Sequence, residues 1–170
     1  MIIPFNNILP DIHNSVFIAD NATVIGDVII CKDVSIWFNC VLRGDVKRIF
    51  IDERTNIQDG CILHTSGGRS EVYIGKDVTV GHNAIVHGCK ISDNVLIGMG
   101  SIIFVDGVVN SNSIIAAGAV VTERSVIPEG VMVAGVPAKI IRKVTESEIY
   151  NITQSALHYT ENALKYINSR

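Results

Sequence analysis

Aliphatic residues recur at every sixth position over most of this chain, and that interval excludes most folds open to a polypeptide of its size. Ile18, Val24, Ile30, Ile36 and Leu42 form one run, Ile51, Ile57 and Leu63 a second, and Ile74, Val80 and Val86 a third. The longest contains Ile91, Ile97, Ile103, Val109, Ile115, Val121, Ile127 and Val133. A helical stripe repeats at three and four residues and a half-buried strand at two, so neither produces hexads. A solenoid does. Each hexad supplies a short strand and a turn, three hexads close a triangular coil, and the inward aliphatic side chains stack from coil to coil. Parallel backbone hydrogen bonds set successive coils about 4.8 Å apart. Four positions after nearly every inward residue stands a small or β-branched one, as at Ala22, Val34, Cys40, Thr55, Ala84, Ser101, Ala119 and Ser125. Lys90 breaks this rule, where the interval between Val86 and Ile91 shortens to five.

Two long steps, nine residues from Leu42 to Ile51 and eleven from Leu63 to Ile74, are expected to interrupt the prism, the second with an excursion through TSGGRSE. After Val133 the hexads stop at AGVPAK. Thr145-Glu146-Ser147-Glu148 then has capping-box spacing, and Ile149, Ile152, Ala156, Tyr159, Ala163 and Tyr166 mark one face of an amphipathic helix. The expected organisation is an all-β prism over residues 1–144 and a helix over 145–170 packed on it or on a neighbouring subunit. The spacing does not give the hand of the coil, and the rule for parallel crossovers favours a right-handed one.

A length of 170 residues suits one domain with a core large enough to need no disulfide or metal for stability. Fourteen basic and seventeen acidic residues, with no basic cluster, argue against nucleic acid and anionic membranes as partners. No apolar run approaches the roughly 18 residues of a membrane span. The opening MIIPFNNILP lacks the basic stretch of an export signal. A soluble cytoplasmic protein with its four cysteines reduced is expected.

Three of the five histidines, His64, His82 and His87, fall in the central coils. His64 and His87 each follow an inward aliphatic residue and should point outward. Counting hexads across the eleven-residue step puts His64 and His82 on one face a coil apart and His87 one face further round. One chain would then not gather all three, but a face of one prism packed against a corner of another could bring imidazoles together. Three neutral imidazoles and an open fourth position form a catalytic zinc site; the alternative is three unrelated surface histidines. Cys61 and His64, or His87 and Cys89, also have ligand-like spacing. The hexad register puts Cys40 and Cys61 inside, which makes them core residues. Arg43, Gln58 and His64 share one outward hexad position, and Asn56, Asp59 and Asp45 stand close by in sequence. Arg43 and Asp45 could pair across subunits. Alternatively the Asn and Asp residues serve turns, and Arg43 and Asp45 form an ordinary exposed pair.

With VLRGD at 41–45, NIQDGCILH at 56–64 and VGHNAIVHGCKI at 80–91, the sequence resembles the γ-class carbonic anhydrases over most of its length, through AGVPAKIIRK to the terminal helix. The resemblance implies a left-handed parallel β-helix, a homotrimer, and metal sites between subunits. It implies His64 and His87 from one chain and His82 from its neighbour as ligands of Zn²⁺, or of Fe²⁺ or Co²⁺. Gln58 would stand by the metal-bound water, with Arg43, Asp45 and Asp59 as the surrounding polar residues and Tyr159 approaching from the helix. The implied activity is hydration of CO2 to bicarbonate by a metal-activated hydroxide. The chain departs from the most active family pattern at Val46 and at Thr65-Ser66-Gly67, which replace carboxylates that would export the proton. Two other readings share the fold: a hexapeptide acyltransferase with one histidine as general base and acyl-CoA along the coils, and a metal-binding scaffold without turnover.

Overall fold

Each hexad forms a two- or three-residue strand that pairs in parallel with the strands one coil before and after it. Thr79–Val80, for example, pairs with Asn56–Ile57 on one side and Leu96–Ile97 on the other. In the computed structural model, which describes residues 1–68 and 70–169, this pairing builds a left-handed parallel β-solenoid of about seven turns with a single C-terminal helix. Its first face stacks the start of Val41–Ile51, then Ile62–His64, Ile85–His87, Ile102–Ile103 and Val120–Val121. The second carries the end of Val41–Ile51, then Val72–Ile74, Lys90–Ile91, Val108–Val109 and Val126–Ile127. The third runs from Phe17–Ile18 through Ile114–Ile115 to Val131–Ala134, where Lys139–Lys143 closes it antiparallel.

The inward positions read from the sequence form the core. Leu42, Ile57, Leu63, Ile74, Val80, Val86, Ile91 and Ile97 have no accessible surface, and burying each such side chain contributes about 1.5–3 kcal/mol. The corners turn on single residues in the left-handed region. Asp33, Arg54, Asp77, Asn94 and Asn112 form one such column, with φ between 55° and 60°. Asn and Asp tolerate this conformation; Arg does not by itself. Asp77 holds the Arg54 guanidinium with both carboxylate oxygens, at 2.6 and 2.7 Å.

The shortened interval at Lys90 also has a physical reason. Cys89 fills the small inward corner in its place, and burial pushes its thiol up to about 12. Lys90 turns outward, with its Nζ 5.7 Å from the Tyr73 ring centre.

The two long steps do not interrupt the prism as expected. Both widen the same corner, between the first and second faces, one above the other. Strand pairing resumes beyond them, Arg43 with His64 before the corner and Ile49 with Val72 after it. The excursions are joined where Lys47 N–H donates to Thr65 Oγ1 at 3.0 Å.

The helix, Glu146–Asn168, begins with the capping box read from the sequence. Thr145 N–H donates to the Glu148 carboxylate at 2.9 Å, and Glu148 N–H donates to Thr145 Oγ1 at 3.3 Å. The helix lies along the third face and runs back towards the first coils. Ile152, Ala156 and Ala163 are buried beneath it, Tyr159 meets Trp37 edge-on at 5.5 Å, and Tyr166 contacts Phe17 and Trp37. Among the described residues no helix is long and apolar enough to cross a membrane.

Candidate metal centre

The first face carries an outward column of Arg43, His64 and His87, each following an inward aliphatic residue and each in register with the next. This corrects the hexad count, which put His64 with His82. The eleven-residue step from Leu63 to Ile74 covers one face plus a loop, so Leu63, Ile74, Val80 and Val86 complete a full coil and His87 lies directly over His64. His82 sits in the corner turn before Asn83, at the opposite end of that face.

The column forms a coupled polar group. His64 Nδ1 is 3.2 Å from His87 Nε2, and His64 Nε2 is 3.1 Å from Asp45 Oδ1. The other oxygen of Asp45 accepts from Arg43 Nη1, so Arg43 and Asp45 pair within this chain. Burial alone would raise the Asp45 carboxyl, but hydrogen bonds from Arg43 and His64 hold it below its usual range. Burial, then the neighbouring His64 and Arg43, hold the His87 imidazole below its ordinary value, so it is neutral at pH 7. With a proton on His64 Nε2 donated to Asp45, Nδ1 keeps its lone pair towards His87.

The corner holds a second group. His82 Nδ1 is 3.0 Å from Asp59 Oδ2, so the remaining ring nitrogen with no carboxylate on it is Nε2. Gly60, the next residue after Asp59, has φ +74°, and a Cβ there would collide with Asn83 Oδ1. Gln58 belongs to this corner and not to the outer surface shared by Arg43 and His64, although its hexad position is the same. It follows Ile57 on the third face, where it is only 6% exposed. Its Nε2 donates to Asn56 Oδ1 at 3.2 Å, and Asn56 Nδ2 donates to Thr79 Oγ1 at 2.9 Å. Thr79 Oγ1 lies 3.4 Å from Ser155 Oγ on the helix. The row turns the carbonyl end of Gln58 away from Asn56. Thr79 and Ser155 went unread in the sequence; the signal for Thr79 was its place before Val80, in register with Asn56 before Ile57.

Gln58, His82 and Tyr159 line one groove of about 530 Å³ between the corner and the helix. Burial and then the charge of Asp59 raise the Tyr159 hydroxyl, so it is protonated at neutral pH. The cysteines stay out of the site. Cys61 Sγ donates inward to the Gly81 carbonyl at 3.1 Å and Cys40 Sγ to that of Gln58 at 3.0 Å, and both are fully buried.

The donors suit a divalent ion. Two imidazole nitrogens 3.2 Å apart match the edge of about 3.3 Å in a tetrahedron with bonds of about 2.0–2.1 Å. A carboxylate on the second nitrogen, as Asp45 is on His64 and Asp59 on His82, orients a ligating imidazole. One chain does not bring the three together. His82 lies in the turn that opens the face and His87 at the far end of the strand Ile85–His87, and among the described residues no group of three or more potential ligands forms.

Several known proteins are similar to this chain. The family model for bacterial transferase hexapeptides, of six repeats, matches residues 10–44. A carbonic anhydrase of Geobacillus kaustophilus is 48% identical over 98% of the chain and 91% of its own length. Gamma carbonic anhydrase 2 of Arabidopsis thaliana mitochondria is 44% identical over 88% of the chain, which spans 56% of that relative. A Bacillus cereus structure described as a putative acetyltransferase superposes with a TM-score of 0.97 at 39% identity, covering 99% of this chain and 98% of the other.

Proposed function

Because the chain belongs to the γ-class carbonic anhydrase family, we propose that it hydrates CO2 to bicarbonate with a divalent metal held between subunits of a homotrimer. One observation carries the reading: the three histidines divide into an in-register pair and a corner residue at opposite ends of one face. A ring of three copies joins two different patches of the chain at each boundary, and so suits a site made of two different halves. His64 and His87 of one copy and His82 of the next would hold Zn²⁺, or Fe²⁺ or Co²⁺ in its stead. Such an ion acidifies water to a pKa near 7 and so supplies hydroxide at neutral pH.

The chain's own residues supply the rest. Asp45 and Asp59 fix the ring orientation of His64 and His82. The Gln58 carbonyl end, set by Asn56, accepts a hydrogen bond from a water or bicarbonate hydroxyl. Arg43 places a positive charge beside the anionic product. The proton released at each turnover meets Val46 and Thr65-Ser66-Gly67, which offer no carboxylate, so dissolved buffer carries it away.

The test is to purify the protein without added metal, measure its mass and metal per chain, and compare CO2 hydration by the wild type and His82→Ala. A trimer with one metal per chain whose hydration is lost in the variant supports the proposal; wild type without metal or without hydration overturns it. The acetyltransferase description of the Bacillus cereus relative favours a second reading, supported instead by turnover of acetyl-CoA without hydration. Metal without either activity favours the scaffold.

A further inference from the structure

The outward column of the first face does not end at the histidines. Ile103 pairs with Val86, so Phe104 stands one coil beyond His87. It is 39% exposed in its own chain. The corner column advances in step. Gly100 N–H donates to the His82 carbonyl at 2.8 Å, which places Met99 one coil beyond His82. His82 and His87 therefore share one coil, and Met99 and Phe104 share the next.

A threefold axis along the prism leaves the height of every coil unchanged. An assembly that sets His82 of one copy level with His87 of another must also set Met99 level with Phe104. At that height the groove widens over Gly98, Met99, Ala116 and Ala117, with Leu96 and Ile114 as its apolar walls. Its floor is small for a reason: a Cβ on Gly98 would lie 2.5 Å from the Ala117 nitrogen. Such an assembly would bring an exposed aromatic ring against an apolar groove, and buried aromatic anchors in pockets often dominate subunit contacts.

We propose that Phe104 of one copy seats in this groove of a second copy and clamps the two halves of the metal centre together. The inference rests on the intersubunit reading above. Within one chain Met99 lies in the corner turn and Phe104 just past the strand Ile102–Ile103, at opposite ends of one face, whereas a disulfide needs Cα atoms within about 7 Å. A bridge between cysteines introduced by Met99→Cys and Phe104→Cys that joins different chains shows as covalent dimers and trimers.

The experiment oxidises the double variant and both single variants, and separately measures the mass and metal content of wild type and Phe104→Asp. Covalent dimers and trimers from the double variant alone, with a threefold drop in mass and at least a tenfold loss of metal in Phe104→Asp, are the expected results. A trimeric wild type whose double variant does not cross-link, or a Phe104→Asp protein that stays trimeric with full metal, overturns the clamp and leaves the metal reading standing. Cross-linking in a trimer without metal supports the clamp and sinks the metal reading; a monomeric wild type sinks both. If Phe104→Asp does not fold, the cross-linking result decides.

Discussion

His87 Nε2 lies 3.2 Å from His64 Nδ1, directly one coil above it, whereas the third histidine is fastened to Asp59 at the far end of the same face. If the ion lies between chains, no chain completes its own site, and mixed trimers reveal this. Coexpressing His82→Ala with His87→Ala should give mixed trimers with one intact boundary in three, because only one junction combines a good pair with a good corner. The expected stoichiometry is one metal per mixed trimer and none in either homotrimer, read by native mass spectrometry with metal analysis. Metal-free mixed trimers would rule out an ion shared in this way.

Asp45 and Asp59 each hold a histidine by one ring nitrogen, at 3.1 and 3.0 Å. Asp45→Asn and Asp59→Asn should each weaken metal binding about 10–100-fold, the usual cost of losing such a partner. Competition with a chelator measures it, and unchanged affinity would assign both carboxylates to turn structure alone.

Arg54 occupies the left-handed corner with φ +55° and is tied down by Asp77. Arg54→Ala keeps the backbone cost of about 1–2 kcal/mol and loses the charged hydrogen bonds, so it should destabilise more than Arg54→Gly, which removes both. Urea unfolding ranks them; equal midpoints would show that the corner carries no strain.

The Glu148 carboxyl is held at about 2 by hydrogen bonds from Arg142 and from Thr145. Its unfolded value is near 4.3, so the folded group binds its proton less readily. The stabilisation is therefore fully present above the unfolded value and disappears as pH falls towards 2. Wild type should exceed Glu148→Gln in urea midpoint at pH 6, and the gap should close by about pH 2. A gap that does not change with pH would mean the charged form contributes nothing.

Much of this was legible because a hexad fixes which side chains face inward regardless of neighbours. The buried column from Leu42 to Ile97, the cysteines inside and the capping box at Thr145 all followed from local pattern. Register was harder. Residues 44–48 and 65–68 bulge at one corner, and nothing in an eleven-residue interval says whether it crosses one face or two; His64 and His87 were paired by family resemblance and not by counting. Gln58 shows a second limit. Outward is not the same as exposed once a distant helix covers the third face, and the Asn56–Thr79–Ser155 row depends on residues up to 99 positions apart, from Asn56 to Ser155.

The helix runs back along the prism until Tyr166 rests on Phe17 and Trp37, laid down some 150 residues earlier. Coils can stack as they leave the ribosome, yet the aromatic wall of the earliest ones stays bare until the helix has been made, roughly 10–30 s later at ordinary rates of synthesis. The nascent chain thus carries an uncovered greasy flank through the making of every coil, and only the helix hides it.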